Sequence, residues 1–345
     1  MCAWANNAII AKAKSMYGNF LKASDYEKLV KYNNVQDVVA YLKKHPHYED
    51  ILKDVSEHSI HRGNLEVLVR KNAFKQMIRL IKAVYSKDAE YYELYIIKQE
   101  SEIILSVLRA FISDDTEEQR GRIPYFFDVH TKLDIEKIIR AVNFDDLLEA
   151  ISETEYYQIL EPYYVKDRDD LRYLDIESAL EVYYYEEAFK RIRKYYTGRL
   201  KRDLEEIYQT KIELSNIIKI YRLKKFYDTD SETIKNVLIR KNGRLSERKI
   251  DEMIALDNPD ELLSLLSKSE FKQFTNSQDY VYIEYYAGKI KYELAKKFIY
   301  FSTDVPKVYT AFATLSEIEI ENITNIVEGI RYEVGENEIK QMLIY

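Results

Sequence analysis

Chemically versatile side chains are few in this 345-residue sequence: five histidines, His45, His47, His58, His61 and His130, and one cysteine, Cys2. His45-Pro46-His47 and His58-Ser59-Ile60-His61 each place two imidazoles close enough to share a metal ion. A metal site needs further ligands at a fixed spacing, such as Glu-x-x-His or His-Glu-x-x-His, and neither pair has them. We read all five as solvated loop and helix-end histidines, and no metal is expected. The segment Arg240-Lys241-Asn242-Gly243-Arg244-Leu245-Ser246 has a single glycine and lacks the spacing of a phosphate-cradling loop. No nucleotide binding and no cofactor is therefore expected.

Carboxylates are plentiful, and six of them recur in register: Glu66, Glu177 and Glu284, then Glu100, Glu213 and Glu319. Acid–base chemistry or a di-metal site needs differently tuned carboxylates gathered at one place. One glutamate per repeat, in equivalent positions, fits another role: pairing with Lys or Arg, capping a neighbouring unit, or lining a hollow that holds a partner. An enzyme is not expected.

The elements that must position these residues form a triplicated pattern. Its first landmark is an acidic residue, two apolar residues and an Asn ahead of a Leu-rich stretch: Glu27, Leu29, Val30, Asn34; Glu136, Ile138, Ile139, Asn143; Asp251, Met253, Ile254, Asn258. The following VQDVVAYL, FDDLLEAI and PDELLSLL have apolar residues at i, i+3, i+4, as on an amphipathic helix that the Asn can cap. The second landmark heads a long Tyr- and Lys-rich helix: Leu65-Glu66, Ile176-Glu177, Ile283-Glu284. The third is a late helix aligned on Glu100, Glu213 and Glu319, with core stripes expected at Ile104/Val107/Leu108, Ile217/Ile220/Tyr221 and Ile323/Ile326/Val327. All three landmarks repeat roughly every 110 residues, which predicts three helical domains, 1–115, 116–230 and 231–345. The connections TEEQRGRIP (116–124) and DTDSET (228–233) absorb the differences in spacing. Such units can stack in a line or close around a pseudo-threefold axis with a central hollow.

Composition agrees with an all-α fold. Gly (8) and Pro (5) are scarce, while 46% hydrophobic residues suffice for sizeable cores. The 52 basic against 59 acidic residues give a net charge of −7, the wrong sign for gripping a phosphate backbone, so nucleic acid is not an expected partner. The 32 tyrosines suit half-buried helix seams. Cys2 alone forms no internal disulfide, which suggests a reducing, cytoplasmic compartment. The opening MCAWANNAIIAKAK lacks the basic start of a signal peptide, and no uncharged run approaches the ~20 residues of a membrane span.

The triple repeat, the segment EIEIENITNIVEGIRY (317–332) and its counterpart IELSNIIKIYRLKKFY (212–227) together resemble the C subunit of V/A-type rotary ATPases, called the d subunit in vacuolar enzymes. The resemblance spans the chain and includes a Glu-x-x-Asn-Ile pattern. The first repeat departs from it, with Ile103 where the others have Asn216 and Asn322. Membership would imply a funnel of three helical domains around a pseudo-threefold axis, without a catalytic site. It would sit peripherally on the cytoplasmic face, joining the central shaft (D- and F-type subunits) to the membrane rotor ring. One chain would act as a monomer within a hetero-oligomeric complex. Glu100, Glu213, Asn216, Glu319 and Asn322 are the expected partner-binding positions, and charge reversal at Glu213 or Glu319 would weaken shaft binding without unfolding the chain. The alternative is a helical-repeat scaffold that binds peptides or proteins in a concave groove.

Overall fold

The computed structural model describes residues 3–56, 62–84, 86–113, 131–268 and 283–345. His58, His61, His130 and the connection at 116–124 lie outside them. The described residues contain helices and no strand. In chain order the α-helices are α1 (Ala3–Gly18), α2 (Ala23–Leu29), α3 (Val35–Lys43), α4 (Glu49–Leu52), α5 (Arg62–Ile81), α6 (Ala89–Tyr92), α7 (Leu94–Ile112), α8 (Ile135–Arg140), α9 (Phe144–Ala150), α10 (Glu155–Leu160), α11 (Tyr173–Tyr195), α12 (Gly198–Tyr227), α13 (Ser231–Asn236), α14 (Glu247–Ile254), α15 (Glu261–Lys268), α16 (Ile283–Phe301), α17 (Val305–Arg331) and α18 (Glu336–Gln341).

The sequence landmarks fall where helices begin and where they are buried. Asn34 caps α3 by accepting from the Asp37 amide at 2.8 Å, and Asn143 caps α9 by accepting from the Asp146 amide at 2.8 Å. At the third position the Glu261 amide donates to the Asn258 backbone carbonyl at 3.1 Å, and the Asn258 side chain accepts from the Asp260 amide at 3.0 Å, one turn ahead of α15. Leu65, Ile176 and Ile283 are all fully buried near the heads of the long helices α5, α11 and α16. The three late helices are α7, α12 and α17, and all nine of their stripe residues are buried as the period required. In the 228–233 connection Asp228 adopts the left-handed conformation (φ 46°) that ends α12, and Asp230 caps α13 with bonds from the amides of Glu232 and Thr233.

The chain divides into two compact units: residues 1–89 with 258–345, and residues 90–257. These borders differ from the sequence divisions at 115/116 and 230/231, because each late helix packs with the early helices of the following repeat. In the first unit, Leu29, Val38, Leu42 and Leu52 from α2–α4 share one core with Ile323, Ile326 and Val327 of α17 and Ile339 of α18. Tyr26 stacks on Tyr345 at 5.0 Å, and Lys340 Nζ lies 3.0 Å from the Glu27 carboxylate. Gly329 permits the close approach of α18: a Cβ there would lie 2.5 Å from Cγ1 of Ile339. In the second unit, α7 packs against α11, and α12 carries α13 and α14, the latter through Lys224 Nζ donating to the Ile254 carbonyl.

Candidate functional site

Each late-helix glutamate receives hydrogen bonds from the repeat that follows it or, for the last, from the first. Glu100 on α7 accepts from the Tyr156 hydroxyl at 2.8 Å and from Thr131 Oγ1. Glu213 on α12 accepts from the Arg244 guanidinium at 2.8 Å, and its side chain is 13% exposed. Glu319 on α17 accepts from the Tyr48 hydroxyl at 2.7 Å and from the Leu21 amide at 2.8 Å. Tyr48 and Tyr156 follow their capping asparagines by nearly the same interval, so the first and third of these contacts are counterparts. In the middle repeat the donor is a cation, the strongest of the three kinds.

The asparagines serve a related purpose. Asn216 donates from Nδ2 to the Ile239 carbonyl at 2.8 Å and accepts from the Ile239 amide at 2.9 Å. Asn322 makes the same pair with Ile344, at 2.7 and 2.8 Å. Both are buried, and each side-chain amide completes both backbone groups of a non-helical residue beyond a short helix, α13 or α18. Ile103 has no polar group with which to do this. Asn322→Ala leaves a buried N–H and C=O unpaired. It should cost about 2 kcal/mol and accelerate hydrogen exchange at Ile344 first. Unchanged exchange there would remove the clamp assignment.

His47 corrects the solvated reading: its side chain is 6% exposed, and Nε2 lies 3.2 Å from Glu319 Oε1. Gln76 Nε2 is 3.3 Å from the same ring nitrogen, and Phe20 packs edge-on at 4.8 Å. Burial pushes the Glu319 carboxyl up to about 8, against the bonds from Tyr48 and Leu21 that favour the anion. Burial drives the His47 imidazole down to about 3, helped by His45 and Lys22. Asp25 also faces this cluster from α2, where it accepts from the Tyr41 hydroxyl. Burial likewise raises Glu100, opposed by Thr131 and Tyr156.

A pH profile follows. The Glu319 contribution is complete below its unfolded value of 4.5 and is lost as pH rises through about 8. That of His47 is complete above 6.5 and is lost as pH falls through about 3. The two slopes oppose between these unfolded values, so stability should be flat there, declining above 6.5 and below 4.5. Urea midpoints across pH should show Glu319→Gln removing the alkaline decline. A parallel decline in wild type and variant would exclude Glu319 as its source.

Among the described residues, no group of three His, Cys, Asp or Glu side chains stands close enough to hold a metal ion, and no helix is long and apolar enough to cross a membrane. The family model of the ATP synthase (C/AC39) subunit matches residues 9–342. The chain belongs to this family. A relative, the A-type ATP synthase C subunit of Methanosphaera stadtmanae, is 24% identical over 97% of this chain and 86% of its own length. The resemblance seen in the repeat and in residues 212–227 and 317–332 is thereby substantiated, and the chain is a V/A-type ATPase subunit of the C/AC39 kind. Within this C/AC39 subunit the five expected partner positions all have polar atoms engaged inside the chain. Tyr48, Tyr156, Thr131, Arg244 and His47, which hold those carboxylates or lie against them, were not read from the sequence as their partners. The intervals from Asn34 to Tyr48 and from Asn143 to Tyr156 were the available signal.

Proposed function

We propose that this C/AC39 subunit is a non-catalytic rotor adaptor, peripheral on the cytoplasmic face, that joins D- and F-type shaft subunits to the membrane rotor ring so that torque passes between ATP turnover and ion movement. The family match across residues 9–342 is the observation that carries the reading. The interlocked packing suits it: a part under torque needs helices that do not slip, and dense cores tied by buried polar bonds transmit strain. In this proposal the domains 1–115, 116–230 and 231–345 surround a pseudo-threefold axis. Glu100, Glu213, Asn216, Glu319 and Asn322 then bear on partner binding by fixing the helices that frame the socket, since contact with a partner would require breaking the bonds they already make.

Affinity-tagged chain expressed in its own cell should be recovered from membranes together with ATP-hydrolysing and ring subunits. Its deletion should leave ATP hydrolysis uncoupled from ion movement. Recovery with soluble clients alone, or coupling unchanged after deletion, would refute the adaptor role.

A further inference from the structure

One edge of the unit formed by residues 1–89 and 258–345 gathers positive charge and exposed aromatic surface. There the C-terminal ends of α5 and α16 flank α1: Lys12 Nζ donates to the Arg79 carbonyl at 3.1 Å, and Lys14 Nζ to the Tyr300 carbonyl at 3.0 Å. Tyr17 packs edge-on against Tyr300 at 5.8 Å. Phe301, at the bend into α17, is 81% exposed and Tyr300 54%. Lys12, Arg79, Lys82 and Lys297 are exposed around them, with Lys296 half-buried. No carboxylate occurs in α1 or in residues 75–82 and 295–301. Asp304 beyond the bend is engaged by Lys307 at 2.7 Å.

Lysines near helix C-termini complement the helix dipole, which accounts for part of this charge. It does not account for a phenylalanine left almost wholly in water at a bend. A chain of net charge −7 that concentrates cations around two protruding aromatic rings has, at this edge, the chemistry of a bilayer interface: rings at headgroup depth, lysine stems apolar and their ammonium groups on phosphate. We propose that this edge docks on the anionic headgroups of a lipid bilayer, with Phe301 inserted at the interface. Two exposed rings set among exposed lysines match a headgroup layer, where rings and ammonium groups find their partners at one flat boundary, and this favours the lipid as the occupant. The inference stands apart from the coupling role, since a chain that passes torque could lack lipid affinity and the reverse.

The full-length chain should co-sediment with phosphatidylglycerol-containing vesicles at about 0.1 M salt, and much less with pure phosphatidylcholine or at about 1 M salt. Phe301→Ser should weaken binding about tenfold. Lys296→Glu/Lys297→Glu should weaken it by at least about tenfold. Both variants should keep the wild-type helical circular dichroism. Three results would overturn the proposal: no binding to anionic vesicles, equal binding to neutral ones, or folded variants that bind like wild type. Absent vesicle binding combined with loss of ATPase subunits on Phe301→Ser would assign the edge to a protein partner instead.

Discussion

Glu319→Ala should lower the unfolding free energy by about 3–5 kcal/mol. The side chain is 4% exposed and accepts from one hydroxyl and one amide, both of which would be left buried without an acceptor. A void beneath Tyr48 adds to the loss. Glu319→Gln should cost only about 1 kcal/mol, because its oxygen still accepts one bond and the Tyr48 hydroxyl can turn to accept from the new amide. Charge reversal at this position would bury an ammonium group in a cluster already close to Lys22. The expectation that reversal leaves the fold intact therefore gives way for Glu319: lost shaft binding in that variant would follow from unfolding. Urea titration of the three forms tests the order. An alanine variant within 1 kcal/mol of wild type, well under the usual cost of such a loss, would mean that the carboxylate does not tie the chain's two ends.

Ile326→Ala should cost about 2–5 kcal/mol. Its side chain is fully buried in the core that α17 shares with the first 73 residues, among Leu29, Val38, Leu42 and Leu65. Those neighbours come from three helices, α2, α3 and α5, which cannot all move inward to fill the space. Leu174→Ala is the matched control: Leu174 is 47% exposed, and its truncation should stay within about 0.5 kcal/mol. Comparable losses at the two sites would show that α17 does not pack as a central element.

Helix positions and their buried faces were legible in the sequence because a 3.6-residue period leaves a local mark. Asn34, Asn143 and the nine stripe residues needed nothing beyond neighbours within a turn or two. The partners of the glutamates were not legible. Tyr48 meets Glu319 across 271 residues, and nothing near either position encodes the other. Repetition marked Glu100, Glu213, Glu319, Asn216 and Asn322 as expected partner-binding positions, but repetition cannot tell a side chain turned outward from one that completes a buried backbone pair. His47 was misread for a related reason: a lone imidazole carries no periodic signal, and its inward direction depends on where Phe20 and Gln76 arrive from other segments.

The joining of α2–α4 to α17 also sets a clock. During synthesis, Leu21 and Tyr48 emerge 298 and 271 residues before the carboxylate that receives their hydrogen bonds. At about 5–20 residues per second these intervals span roughly 14–60 s. For its duration the apolar faces of Val38, Leu42 and Leu52 lack Ile323, Ile326 and Val327. Residues 90–257, which form a compact unit of their own, can be complete on the ribosome while the first helices still wait as a sticky, unfinished half.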